Sequence, residues 1–141
     1  MDVVRFEELG LDTVEQDTEG ARWRAGFPFS PDRPGETTGD AADCTVVYNE
    51  LDPGSRLGRH RDGNEELLFV LSGTVETSVD GTTTTVDAGS LAVIPAGEPH
   101  AVRNVGSTPA RLVGVFGSTT VDSAFESDPT VADGADRVDD R

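Results

Sequence analysis

The chain has 141 residues, enough for one domain with a real core and too few for two comfortable ones. Its 27 acidic residues face 11 basic ones, a net charge of −16, which argues against nucleic acid and anionic lipid as partners. No apolar run approaches the ~20 residues of a membrane span, and MDVVRFEELG has neither a basic region nor an apolar signal core, so a cytoplasmic protein is expected.

Every basic residue is arginine. Acidity of this degree without lysine resembles that of proteins from salt-loving microbes, where concentrated ions screen the self-repulsion of the folded chain.

In chain order, residues 1–43 read as an N-terminal segment packed on the outside of the domain. VVRFEELGL offers one strand or a short turn, ARWRAGFPF suggests a strand, and Trp23, Phe27 and Phe29 supply apolar area to cover a sheet edge or a partner. SPDRPGETTGDAAD then breaks both periodicities and reads as a loop of the length often used for lids or binding rims.

Residues 44–117 carry the strands of the core. Cys44, the only cysteine, excludes an internal disulfide and opens the strand-like CTVVYNEL as a small buried side chain. LLFVL at 67–71 is apolar on both faces, so Glu66, Leu68 and Val70 are expected to face inward, while Leu67, Phe69 and Leu71 need an outer cover. That cover is expected from the N-terminal segment or a second subunit. Threonine-rich strands flank Asp80-Gly81, a primed two-residue hairpin turn, and later strands follow at Leu91–Ile94, His100–Asn104 and in PARLVGVFG. Residues 118–141 are expected to form an acidic, flexible tail, since 122–141 hold seven acids, two arginines and little that is apolar, with Phe125 a docking point. Short strands at regular spacing without a helical stretch predict an all-β, single-domain jelly-roll barrel.

Both histidines fall in two stretches, PGSRLGRHRDGNEELLFVLSG and GSLAVIPAGEPHAVRN. His60 and Asp62, two apart, project from one face of a strand, Glu66 can face them from the next run, and His100 follows a Pro-x-Gly turn. Two imidazoles and two carboxylates converging from neighbouring strands suit a divalent cation. A buried Glu66 without a cation would need protonation or a positive partner.

These stretches resemble the two motifs of the cupins. Gly54, His60, Glu66 and Gly73 meet G-x5-H-x-H-x3-E-x6-G, with Asp62 where a second histidine is usual, and Gly89, Pro95, Gly97, His100 and Asn104 meet G-x5-P-x-G-x2-H-x3-N. The resemblance implies a double-stranded β-helix barrel, a homodimer, and His60, Glu66 and His100 as inner-sphere ligands. That trio is the two-histidine, one-carboxylate set of non-haem Fe(II) sites. Asp62 stands between two readings. As a ligand, directly or through water, or as the orienter of an imidazole, it favours Mn or Fe over softer ions, with Zn or Ni possible; as a turn former before Gly63 it has no metal role.

By strand alternation Arg59, Arg61 and Arg103 point away from the metal, while Arg56 shares the parity of His60 and is the candidate inward cation. Tyr48, Leu68, Val70, Val102 and Phe116 are the other pocket candidates, for a modest small-molecule ligand. Only Glu65, Asp62 and Tyr48 suggest themselves as acid or base, and no catalytic residue is assigned. Two functions fit: a metal-dependent, dioxygenase-like enzyme on a small organic substrate, or a non-catalytic metal- or ligand-binding or storage module.

Overall fold

The structure, a computed structural model, describes residues 3–29 and 43–132. The 30–43 loop, apart from Asp43, and residues 133–141 of the acidic stretch lie outside the described residues.

After a 3-10 turn at Phe6–Glu8, the strands are β1 (Asp12–Glu15), β2 (Arg22–Phe29), β3 (Thr45–Leu51), β4 (Arg56–Asp62), β5 (Glu66–Ser72) and β6 (Thr74–Val79). They continue as β7 (Thr82–Asp87), β8 (Leu91–Ile94), β9 (His100–Asn104), β10 (Ala110–Phe116), β11 (Ser123–Phe125) and β12 (Thr130–Val131). Two antiparallel sheets result, one in the order β12-β1-β2-β3-β10-β5-β8 and the other β11-β4-β9-β6-β7. This is the all-β jelly roll that the turn spacing predicts. The β6–β7 hairpin turns at Asp80 (φ 46°) and Gly81 (φ 82°), both left-handed as a primed turn requires. Among the described residues no helix is long and apolar enough to cross a membrane.

Period-two alternation sends one face of each sheet into a shared interior, where Trp23, Leu51, Leu57, Leu68, Val70, Ile94, Val102 and Leu112 pack together. Each such side chain, fully buried, contributes about 1.5–3 kcal/mol. Glu66, Leu68 and Val70 are buried on the inner face of β5, as the alternation requires.

The outer face of the seven-stranded sheet has its own cluster. Val46, Tyr48 and Val113 are covered by Leu9 and Leu11, with Phe6 and Phe69 packed against them. The N-terminal segment therefore supplies much of the cover that strand β5 needs. Leu71, Leu91 and Val93 stay exposed farther along the sheet.

The C-terminal stretch departs from the flexible tail read in its composition. Of its described residues, β11 pairs with β4 and β12 with β1. Glu126 N donates to Arg59 O, Gln16 Nε2 donates to Ser127 O, and Arg59 pairs with Glu126 at 2.9 Å. Backbone pairing and one docked aromatic hold a segment whose average composition is too polar to form a core of its own.

Candidate metal centre

Strands β4 and β9 lie side by side with His60 directly opposite His100. Between Leu57 and His60 the register shifts by one residue, a β-bulge, so Leu57 and His60 face inward although three positions apart. The bulge corrects the expectation for Arg56. Its parity matches His60 in an uninterrupted strand, but the extra residue turns it to the face it shares with Arg103, and it does not line the cavity.

Each imidazole is held by the backbone two residues before it. Nδ1 of His60 lies 2.8 Å from the Gly58 carbonyl, and Nδ1 of His100 lies 2.9 Å from the Glu98 carbonyl. Donation from both Nδ1 atoms leaves each Nε2 as the inward ligand atom. Asp62 Oδ2 sits 3.6 Å from His60 Nε2 and 3.3 Å from His100 Nε2, and Glu66 Oε1 is 3.5 Å from His100 Nε2. Gly97 N donates to the Asp62 carbonyl, which ties the turn before His100 to the strand carrying the other imidazole. Asn104 closes the far end of β9, donating to the Leu51 and Thr108 carbonyls and accepting from Gly106 N, the turn-fixing role its place in the motif suggests.

Glu66 reaches the centre across the barrel from β5, over Gly114 of β10. A Cβ at 114 would land on the Glu66 carboxylate, so glycine makes the space for it.

All four side chains are buried, and the electrostatics follow. Burial and the neighbouring His100 push His60 down to about 4. Burial also opposes charge on His100, but the carboxylates of Asp62 and Glu66 beside it outweigh that and raise this imidazole to about 10. Asp62 is lowered against its burial by His100, His60 and Ser123, while burial raises Glu66.

The donors fit a divalent ion. His60, Asp62 and His100 each offer an atom within 4.8 Å of the others. Ligand atoms about 2.1 Å from one ion and meeting at right angles lie about 3 Å apart, close to the 3.3–3.6 Å spacings here. Among the described residues Asp62 Oδ2 and His100 Nε2 are buried without a hydrogen-bond partner, and that cost is relieved when a cation displaces the His100 proton and takes both lone pairs. These three residues could hold a metal, with Glu66 beside them.

The centre opens into a cavity of about 480 Å3. Leu68, Val102 and Phe116 line it, as expected, with Trp23, Phe27 and Leu112. Val70 packs in the core without lining it. Tyr48 does not reach it either, because Thr45, Val47 and Asn49 are the inward residues of β3. Tyr48 lies on the opposite face, stacked on Phe6 at 4.8 Å. Trp23 points into the barrel instead of covering an edge. Sequence reasoning missed Ser123, whose hydroxyl donates to Asp62 Oδ1 at 2.6 Å. Phe125 stacks on the His60 ring at 4.6 Å. The period-two pair Ser123 and Phe125 was the available signal, masked by the acids around it.

The cupin-domain family model matches residues 47–116, the strands that carry both imidazoles and both carboxylates. The chain is 37% identical over 62 residues to the polyketide synthase CurC of Streptomyces cyaneus, a match covering 43% of this chain and 40% of that protein. Among solved structures, the oxalate decarboxylase formate complex of Lactobacillus farciminis superposes with a TM-score of 0.62 at 19% identity, over 82% of this chain and 33% of that one. A conserved protein of unknown function from Streptococcus pyogenes gives 0.52 at 28% identity, over 64% and 78% of the two chains. The chain thus spans well under half the length of CurC and of the decarboxylase. Its barrel, the two motifs within it and the matched family model make this chain a member of the cupin superfamily.

Proposed function

We propose that the protein is a metal-dependent, dioxygenase-like enzyme acting on a small, neutral, largely apolar organic molecule. One observation carries this reading: two imidazole Nε2 atoms and a carboxylate oxygen converge at the wall of a largely apolar cavity, two of them buried without a partner. His60, Asp62 and His100 would hold the ion with Glu66 beside them, a nitrogen and oxygen set that suits Fe or Mn, with Zn or Ni as competitors. When bound, the ion supplies Lewis acidity and, as iron or manganese, electron-transfer capacity toward dioxygen. The chain's own residues do the rest. The Gly58 and Glu98 carbonyls aim the imidazoles, and Trp23, Phe27, Phe116 and Phe125 offer flat apolar surface that orients a ring and excludes water.

Among the described lining residues there is no arginine, lysine, tyrosine or cysteine. A dianionic substrate would find no cation there besides the ion, and Asp62 and Glu66 already answer that charge. Enolisable diketones and phenols are the favoured class, a direction in keeping with the polyketide synthase name of the 37% identical relative. The scarcity of acid–base groups outside the ligand set favours the second reading, a non-catalytic metal- or ligand-binding module, because Tyr48 faces away and Glu65 is exposed.

Exposed Leu71, Leu91 and Val93 support a homodimer through this part of the sheet, and the charge of −16 supports a cytoplasm rich in salt, where the melting midpoint should rise with KCl. Elemental analysis of untagged protein, followed by oxygen uptake with diketones, phenols and thiols, tests the function. Stoichiometric iron or manganese with uptake on the first two supports the enzyme; metal without turnover of any of them moves the assignment to the binding module.

A further inference from the structure

The residues after the matched family region contribute to the centre. Ser123 of β11 stands directly opposite Asp62 of β4 in the ladder, and its hydroxyl donates to Oδ1 at 2.6 Å. A carboxylate has two oxygens, and this bond commits one of them. The other, Oδ2, is buried without a hydrogen-bond partner and turned toward both imidazoles. Aspartate is shorter than the histidine that the motif usually carries here, and its oxygens can rotate away from an ion unless something holds the plane. We propose that Ser123 is a positioning residue of the metal centre: by occupying Oδ1 it fixes Asp62 as a one-oxygen ligand through Oδ2.

β11 is built to hold that hydroxyl in place. The Asp122 carbonyl accepts from Gly63 N at 2.8 Å on one side, and Glu126 N donates to the Arg59 carbonyl at 3.1 Å on the other. Phe125, on the same face as Ser123, lies over the His60 ring at 4.6 Å and toward Trp23 at 6.0 Å, closing this side of the centre with apolar surface. The proposal rests on the metal-centre reading above and explains how a carboxylate serves at a position where the motif has an imidazole.

The test is a Co(II) titration of the full chain by calorimetry and visible absorption, for the native protein, Ser123→Ala, Ser123→Thr and Glu126→Gln. Ser123→Ala should lose affinity about ten- to hundredfold and alter the Co(II) spectrum, while Ser123→Thr, which keeps the hydroxyl, restores both. Glu126→Gln, which loosens β11 at its exposed pair with Arg59 without touching the centre, should retain the native spectrum. Native affinity and spectrum in Ser123→Ala overturn the assignment. So does an equal loss in Glu126→Gln, which would mean that β11 acts only through its attachment to β4. A native chain that takes up no Co(II), Mn(II) or Fe(II) overturns the centre itself, a result distinct from the other two.

Discussion

Two polar clusters occupy opposite sides of the seven-stranded sheet, a buried one inside and a half-exposed one around the buried Tyr48 outside, and they are completed differently. Outside, Tyr48 OH donates to Glu50 Oε2 and accepts from Arg111 Nε, both at 2.7 Å, while Arg24 bridges Glu50 and Asp52. Burial, with Glu50 adding to it, pushes Tyr48 up to about 12, so the phenol remains a neutral donor. Inside, Asp62 Oδ2 and His100 Nε2 find no hydrogen-bond partner. A satisfied network stabilises the fold alone, whereas each orphaned buried atom costs about 1–3 kcal/mol until something binds it. The outer cluster is architecture, and the inner one has chemical capacity left over.

The largest test of that contrast is His100→Ala, which removes an inward nitrogen. Metal affinity should fall by more than the about hundredfold typical of outer-shell changes, as read by calorimetry, and near-native affinity would refute the inner cluster's role. Gly114→Ala comes next. Its methyl would collide with the Glu66 carboxylate, so unfolding in urea should show a loss of about 1–3 kcal/mol, with weaker metal binding alongside.

A pH series sharpens the comparison further. His100 is raised from 6.5 to about 10, so its stabilising contribution is complete below 6.5 and lost as pH climbs through 10; Glu66, also raised, acts in the same direction. Thermal melts of the metal-free protein should decline across that window. Metal uptake near neutral pH should release about one proton, since an imidazolium has no lone pair to give, and titrations in buffers of different ionisation enthalpy would detect it. The smallest effect belongs to the outer cluster. Tyr48→Phe should cost about 0.5–1.5 kcal/mol in denaturant melts and leave metal affinity unchanged.

Much of the inner cluster was legible because its chemistry is written in spacing. His60, Asp62, Glu66 and His100 meet as strand alternation and the two motifs imply, and Leu68, Val102 and Phe116 line the cavity. Errors arose where alternation loses phase or composition misleads. Strict alternation through RLGRHRD puts Arg56 inward; Gly58, a glycine inside a strand, is the local mark of the extra residue that reverses it. Tyr48 failed for a related reason: both faces of β3 are buried, and an apolar run does not say which face is the cavity. Phe125 docks as expected, but Ser123 sits in a stretch whose acids dominate any average, although three residues suffice to form β11 once β4 offers an edge.

The bulge on β4 has an evolutionary corollary. Gly58 lends its carbonyl to His60, and the surplus residue beside it lets Leu57 and the imidazole share a side. Adding one more residue between them, with the bulge kept, would rotate either the hydrophobic half of the strand or its chemical half out to water, whereas losing the surplus one restores plain alternation and keeps both inward. Lineages of this barrel can therefore vary many of its surface side chains freely and could even shed the surplus residue, yet at this spot they should tolerate no gain in length.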